Sequence, residues 1–345
     1  MLRLSTPGAQ RIAQATAFDA TFGGGEANVA ASLALFGHRA RFVTRLPSGE
    51  LGDACVGFLR GHGVDTSHVV RGGERLGIYF LETGAAQRGS KVIYDRAGSS
   101  LATVSLGMIP WGEVFRDADW FHWTGITPAV SEGAARALAE GIAAARAAGA
   151  TVSCDLNYRG KLWKWGKKAS DVMGDLVAGC HVAVGNEEDA EKIFGLRAPH
   201  TDVGRGKISA AGYRDVGRQL AARFPGLRRI AFTLRGSLGA SHNLWSGALY
   251  SPQDDEFLAA QEYSISPIVD RVGSGDAFAA GLIHGLRTLG AGTVFGDGIG
   301  ERRRALEFAT AAACLKHSIS GDFNLATAAE VEALAQGEAS GRIAR

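Results

Sequence analysis

Cysteine is scarce and scattered: Cys55, Cys154, Cys180 and Cys314 never stand as CxxC. A disulfide framework and a zinc ribbon are therefore not expected, and a reducing, cytoplasmic setting is. No run approaches the ~20 unbroken apolar residues of a membrane span, and residues 1–25 lack the apolar core of a signal peptide. Basic tracts are missing as well. With 37 Lys+Arg against 35 Asp+Glu the net charge is +2, so neither nucleic acid nor a membrane surface is an expected partner. GxxxxGK[ST], HExxH and an intact GxSxG do not occur, and no GxGxxG follows the first strand. These absences argue against a P-loop, a zinc protease, a serine hydrolase and a dinucleotide fold. The nine histidines show no ligand spacing and read as structural.

What is present is 345 residues, 46% of them hydrophobic, ample for one large core or two smaller ones. Residues 1–22 read as two short extended pieces turning at Pro7-Gly8, and residues 26–36 as a helix stopped by Gly37. Residues 39–45 read as a strand and 49–61 as a helix. Residues 75–83 and 91–96 alternate apolar and polar positions with no helix between, which predicts a small antiparallel sheet standing on the main domain; residues 15–22 can add a strand to it. After Ala102 strands and helices alternate. Strands are expected at 120–124, 151–156, 181–184 and 229–234, with a hairpin partner at 243–250. Helices are expected at 131–148, 171–178, 187–194, 210–224, 302–317 and 328–334. Such alternation predicts an α/β fold with a mainly parallel sheet and helices on both faces, binding ligands at the carboxyl ends of its strands.

The stretch that the rest serves is DRVGSGDAFAAGLIHGL, residues 270–286. From Asp276 the apolar residues Phe278, Leu282, Ile283, Leu286 and Leu289 recur at three and four, a helical period. Gly273-Ser274-Gly275 thus sit where an extended segment, β-prone but broken by Pro267, becomes a helix. A helix start offers unpaired amides and the positive end of a dipole, and small residues let a phosphate come close. Asp276 then places a carboxylate at the edge of an anion site, where it suits proton abstraction from a hydroxyl attacking a phosphate. A glycine turn with an ordinary N-terminal aspartate, contributing ~1 kcal/mol to the helix, fits the same residues equally well.

Other candidates fall at strand ends and helix starts. Gly24, Gly25 and Asn28 permit close approach and offer both a donor and an acceptor to a polyol, or make a plain turn. Arg159, in DLNYRGKLW, suits a two-pronged grip on a carboxylate, or is a surface arginine. Tyr94 and Arg96 share one face of the second excursion strand, from which they can reach down to a sugar acid. Asn186 opens a helix with Glu187, Glu188 and Asp189, acids that complement the dipole or act indirectly on Mg²⁺. Arg235 and Gly236 end a strand near where nucleotide phosphates would lie.

Together these pieces resemble the ribokinase-like (PfkB) carbohydrate kinases, most closely the 2-dehydro-3-deoxygluconate kinase subgroup. GGGEANVAASLALFG stands for the family's N-terminal two-glycine signature and DRVGSGDAF for its C-terminal one, D-x-x-G-[AS]-G-D-[AS]-F. The tail KHSISGDFNLATAAEVEAL looks like that of the subgroup. The resemblance spans essentially the whole chain. It implies a single ribokinase-like domain over residues 1–345, three-layered α/β/α, with a β lid at about 13–22 and 74–98. It implies ATP and Mg²⁺ as cofactors and a small sugar acid as substrate. In roles, it implies Asp276 as general base, Gly273, Ser274 and Gly275 as the anion hole, and Gly24, Gly25 and Asn28 on sugar hydroxyls. Arg159, Tyr94 and Arg96 would hold a carboxylate, and Asn186, Arg235, Gly236 and Gly275 the nucleotide. Asp189 stands where the family usually has Glu. Lid sheets in the family often pair between subunits, so a homo-oligomer through the lid is expected. Family members also carry a few more residues ahead of MLRLSTPG, so a short or frayed first sheet strand is expected. A kinase of a neutral sugar or nucleoside, or a non-catalytic sugar or nucleotide sensor, are the rival readings.

Overall fold

The first third of the chain supplies β1 (Leu2–Ser5), β2 (Asp19–Phe22), β3 (Arg45–Leu46), β4 (Val70–Arg71), β5 (Ile78–Glu82) and β6 (Lys91–Asp95) in the computed structural model, which describes residues 1–197, 210–288, 295–296 and 298–338. Four of these strands form one sheet in the order β2-β1-β5-β6. The expected excursion pair is there, with Tyr79 opposite Tyr94 in antiparallel register. The first strand is short, four residues, as expected. It joins this small sheet, antiparallel to β2 and parallel to β5. Alternation explains why: Arg3 and Ser5 are buried while Leu2 and Leu4 are half-buried, and Arg3 turns inward to two carboxylates described below.

The remainder supplies β7 (Trp120–Thr124), β8 (Thr151–Asp155), β9 (Val182–Gly185), β10 (Arg229–Gly239), β11 (His242–Ser251), β12 (Glu256–Ala259) and β13 (Tyr263–Ile265). They form a seven-stranded sheet in the order β12-β11-β10-β9-β8-β7, with β13 on β11. β7 to β10 run parallel, and the strands from β11 onward are antiparallel. Both faces are covered, as the nearly all-apolar strands require. Alternate residues feed opposite layers. Ala183, Ile230 and Phe232 pack with Leu138, Met173, Leu176 and Leu220 of helices Glu132–Ala147, Ala169–Ala178 and Ala210–Arg223. Val182, Val184 and Ala231 pack with Val29, Phe278, Leu282 and Leu306 of helices Gly25–Leu35, Ser274–Thr288 and Ile299–Lys316. In the motif helix, Phe278, Leu282 and Leu286 keep the expected spacing and are fully buried, each contributing ~1.5–3 kcal/mol; Leu289 lies outside the described residues. Gly281 and Gly285 let helix Ile299–Lys316 approach closely, since a Cβ at either would stand 2.7 or 2.5 Å from the Cα of Ala309 or Ala305.

One expected strand is largely missing. Residues 39–45 give only β3 with its parallel partner β4, plus a bridge from Arg41 to Asp65. Phe42 N to Asp65 O and Val70 N to Thr44 O, both 2.9 Å, hold the segment to residues 65–70 on one side, while a cavity of about 680 Å³ is lined both by residues 41–45 and by residues 120–123. β7 accordingly pairs with β8 alone among the described strands. No helix among the described residues is long and apolar enough to cross a membrane.

Candidate active site

Helix Ser274–Thr288 begins at a turn in which Gly273 has φ +86°, and a Cβ there would lie 2.1 Å from the Asp322 carbonyl oxygen. Glycine meets both demands. The first i→i−4 bond of the helix is Ala277 N to Gly273 O at 2.8 Å. The amides ahead of it have no helical acceptor and carry the positive end of the dipole. Ser274 is partly turned aside: its Oγ donates to Arg271 O at 3.0 Å and its amide leans on the same oxygen at 3.4 Å.

Asp276 is buried at the floor of this turn, and its Oδ2 accepts from Asn28 Nδ2 at 2.6 Å. Asn28 Oδ1 in turn accepts from Gly24 N at 3.2 Å. The amide read from sequence as a polyol contact therefore ties the N-terminal glycines to the carboxylate. Burial pushes the Asp276 carboxyl up to about 7; the Asn28 bond pulls the other way, while Asp322 and Glu26 add to the rise. A carboxyl titrating near neutrality is well matched to accepting a proton.

A cavity of about 810 Å³ opens over Asp276, and every site residue read from sequence lines it except Gly236. Gly236 instead lies within the β10–β11 ladder opposite Leu244. Arg96 is buried at the end of β6, and its Nε has no hydrogen-bond partner among the described residues. Burial lowers its proton affinity, with Glu26 and Tyr94 opposing. No carboxylate forms an ion pair with it among the described residues, and a desolvated guanidinium is costly to maintain unpaired. Arg159 is exposed at the mouth, Nη1 donating to Tyr158 O at 3.1 Å. Asn186 and Asp189 line the cavity with their side chains partly committed: Asn186 Oδ1 accepts from Asp189 N at 2.8 Å, and the Asp189 oxygens accept from Tyr158 N at 2.9 Å and Asn186 N at 3.1 Å. Burial raises Asp189 to about 6 despite those bonds.

Several groups escaped the sequence reading. Glu26 Oε1 accepts from Thr124 N, Thr124 Oγ1 and Thr127 Oγ1 at 3.1, 2.9 and 2.6 Å, fixing helix Gly25–Leu35 to the end of β7. Asp155 at the end of β8 is raised well above the usual carboxylate range by burial and then by Asp189 and Asp276. Behind the glycines, Arg3 bridges Asp270 (2.5 Å) and Asp322 (2.8 Å), and Tyr79 donates to Asp322 at 2.5 Å. Glu26, Asp155 and Asp322 stood inside the stretches GGGEAN, DLNYR and SGDFN; their position at strand and helix ends was the available signal. Among the described residues no set of His, Cys, Asp or Glu is placed to hold a metal ion.

The arrangement is a carboxyl raised toward neutrality beside a dipole-rich turn, in a cavity whose wall also carries Arg45, Arg75, Arg96, Arg159, Arg235 and Arg271. A family model described as pfkB family carbohydrate kinase matches residues 3–325. The chain is 30% identical to the 2-dehydro-3-deoxygalactonokinase of Haloferax volcanii, covering 99% of this chain and 96% of that protein. It is also 30% identical to a 2-dehydro-3-deoxygluconokinase of Thermoproteus tenax, over 93% and 86%. The crystal structure of a 2-dehydro-3-deoxygluconokinase from Thermotoga maritima superposes with a TM-score of 0.88 at 41% identity, covering 98% of this chain and 97% of that one. With both signature turns meeting at one carboxylate and the family pattern matched across nearly its full length, this chain belongs to the pfkB family of carbohydrate kinases.

Proposed function

We propose that the protein transfers the γ-phosphoryl group of MgATP to the terminal primary hydroxyl of 2-dehydro-3-deoxy-D-gluconate, giving the 6-phosphate and ADP. The observation that carries this reading is the buried Arg96, whose Nε has no hydrogen-bond partner among the described residues, in the same cavity as Asp276. The hydroxyl proton passes to the Asp276 carboxylate, the new O–P bond forms, and the bond from the γ-phosphorus to the bridging oxygen breaks. The amides at residues 273–275 face the transferring group and act by positioning and charge stabilisation. Arg96 and Arg159, with Tyr94, hold the substrate carboxylate; Gly24 and Gly25 face its hydroxyls. Arg235 and Asn186 serve the nucleotide side. Mg²⁺ enters as part of the nucleotide substrate, since both Asp189 oxygens are held by amides; Asp189 acts on it indirectly. The exposed Ile93 of β6 and Phe18 just ahead of β2 suit pairing of two lids in a homo-oligomer.

A substrate panel with coupled detection of ADP tests the assignment. It contains the gluconate acid, its galactonate epimer (included because of the Haloferax relative) and the neutral sugars fructose and ribose. Arg96→Ala and Arg159→Ala are each expected to raise KM for the acid about 10- to 150-fold, the worth of a hydrogen bond to a charged group at ~1.5–3 kcal/mol. Neutral sugars outperforming the acids, or both variants keeping the wild-type KM, would replace this reading with a neutral-sugar kinase. No turnover on any member would favour a sensor.

A further inference from the structure

Helix Ile299–Lys316 ends beneath the turn that starts the motif helix. Lys316 is wholly buried and does not line the cavity. Its Cε lies 3.3 Å from where a Cβ on Gly273 would stand, so the side chain supports the turn from the side away from substrate. Nζ donates to Ile319 O at 2.9 Å. The next residue clamps the segment leading into the turn, His317 O accepting from Val269 N at 2.8 Å and Asp270 N at 3.2 Å. A side chain needed only for packing would not be charged: desolvating an ammonium is expensive, and methionine fills the same shape. The charges facing it are Asp270 and Asp276 on the motif segment, Asp322 on the following loop and Arg3 on β1. Around His317 the charges are Lys316, Arg271 and Arg235.

We propose that Lys316 is a positioning residue for phosphoryl transfer, a cation built in behind the turn at residues 273–276 that offsets the negative charge gathered there when Asp276 is ionised and the phosphoryl group is in flight. A fixed charge placed where charge develops needs no reorganisation during the reaction. The inference rests on the phosphoryl-transfer reading above. It also gives a pH consequence. Burial brings the ammonium down to about 8, with Asp270 and Asp322 opposing and Arg3 adding to the fall, so the charge is present below that pH and lost above it.

The test compares wild type, Lys316→Met and Lys316→Arg for binding of MgADP alone and of MgADP with aluminium fluoride, a mimic of the transferring phosphoryl group. It also records kcat between pH 6 and 10. Lys316→Met should weaken the aluminium fluoride complex at least tenfold, leave binding of MgADP alone within twofold, and lower kcat at least tenfold with partial rescue by ammonium ions. In the wild type kcat should fall as pH rises through about 8; Lys316→Arg, whose charge does not titrate there, should lose that fall. Equal aluminium fluoride affinity in wild type and Lys316→Met overturns the proposal. If Lys316→Met does not fold, an alkaline fall shared unchanged by wild type and Lys316→Arg, or absent from wild type, overturns it. A wild type that forms no aluminium fluoride complex removes the phosphoryl-transfer reading itself, and this inference with it.

Discussion

Asp276→Asn is expected to lower kcat by roughly 10²–10⁴-fold, the contribution of a positioned general base. Asparagine keeps the volume and can still meet the Asn28 side chain, so the loss isolates proton acceptance. In the wild type the carboxyl must be ionised to act, and burial places its titration at about 7. Activity should therefore rise with pH through that region, and the variant's residual activity should lack this acid limb. The sign for stability is opposite. Because the folded-state affinity for the proton is raised, the native protein retains a proton that the unfolded chain has released between about pH 4 and pH 7. Stability contributed by this group falls over that window, so Asp276→Asn should be more stable than wild type at pH 8, on the order of 1–4 kcal/mol, and little changed at pH 4. ADP release against pH and unfolding at the two pH values check both halves. A variant within threefold of wild-type turnover would leave the mechanism without its base.

Arg3→Met should produce the largest loss of stability. The guanidinium joins Asp270 and Asp322, all three groups being buried, and Asp322 also accepts from Tyr79. Removing the cation strands two carboxylates in the interior, which costs about 3–5 kcal/mol. Adding Asp322→Asn to Arg3→Met should recover part of that loss, because the groups share one network and their effects are not additive. Urea unfolding of the two single variants and the double variant measures the coupling. A loss under 1 kcal/mol for Arg3→Met would mean that the carboxylates are satisfied without the cation, Asp270 by Val272 N and Gly321 N and Asp322 by the Tyr79 hydroxyl.

This network also marks where sequence reading stops. Strands β7 to β10 and their helices were legible because each carries its own apolar period and its own punctuation. The turn at Gly273 was legible because glycine, serine and aspartate have few other reasons to stand together before a helix. Arg3 was not, since an arginine near the start of a chain reads as surface charge until residue 322, 319 positions away, is known to be beside it. Asn28 was seen, but not its bond to Asp276, 248 positions on. The strand read as ending at residue 234 continues to Gly239, and Gly236 within it does not line the cavity although its neighbour Arg235 does. The strand at residues 39–45 failed for a related reason. Its apolar and basic residues suit a strand, but its partner at residues 65–71 matches it only in short pieces, and pairing is a property of the whole sheet.

The solitary pairing of Trp120–Thr124 bears on how the molecule wears out. Among the described strands that border of the large sheet is held by one parallel ladder, by Glu26 at its tip and by side chains lining a cavity of about 680 Å³, so warming should loosen it before the strands inside. Glu26 borders both that cavity and the one over Asp276, and its helix carries Asn28 to the Asp276 carboxylate. Local opening should thus uncouple the sugar half of the cavity while most of the core still holds. Catalytic half-life on heating is expected to collapse several degrees below the calorimetric midpoint, with activity regained on cooling as long as the core has not opened.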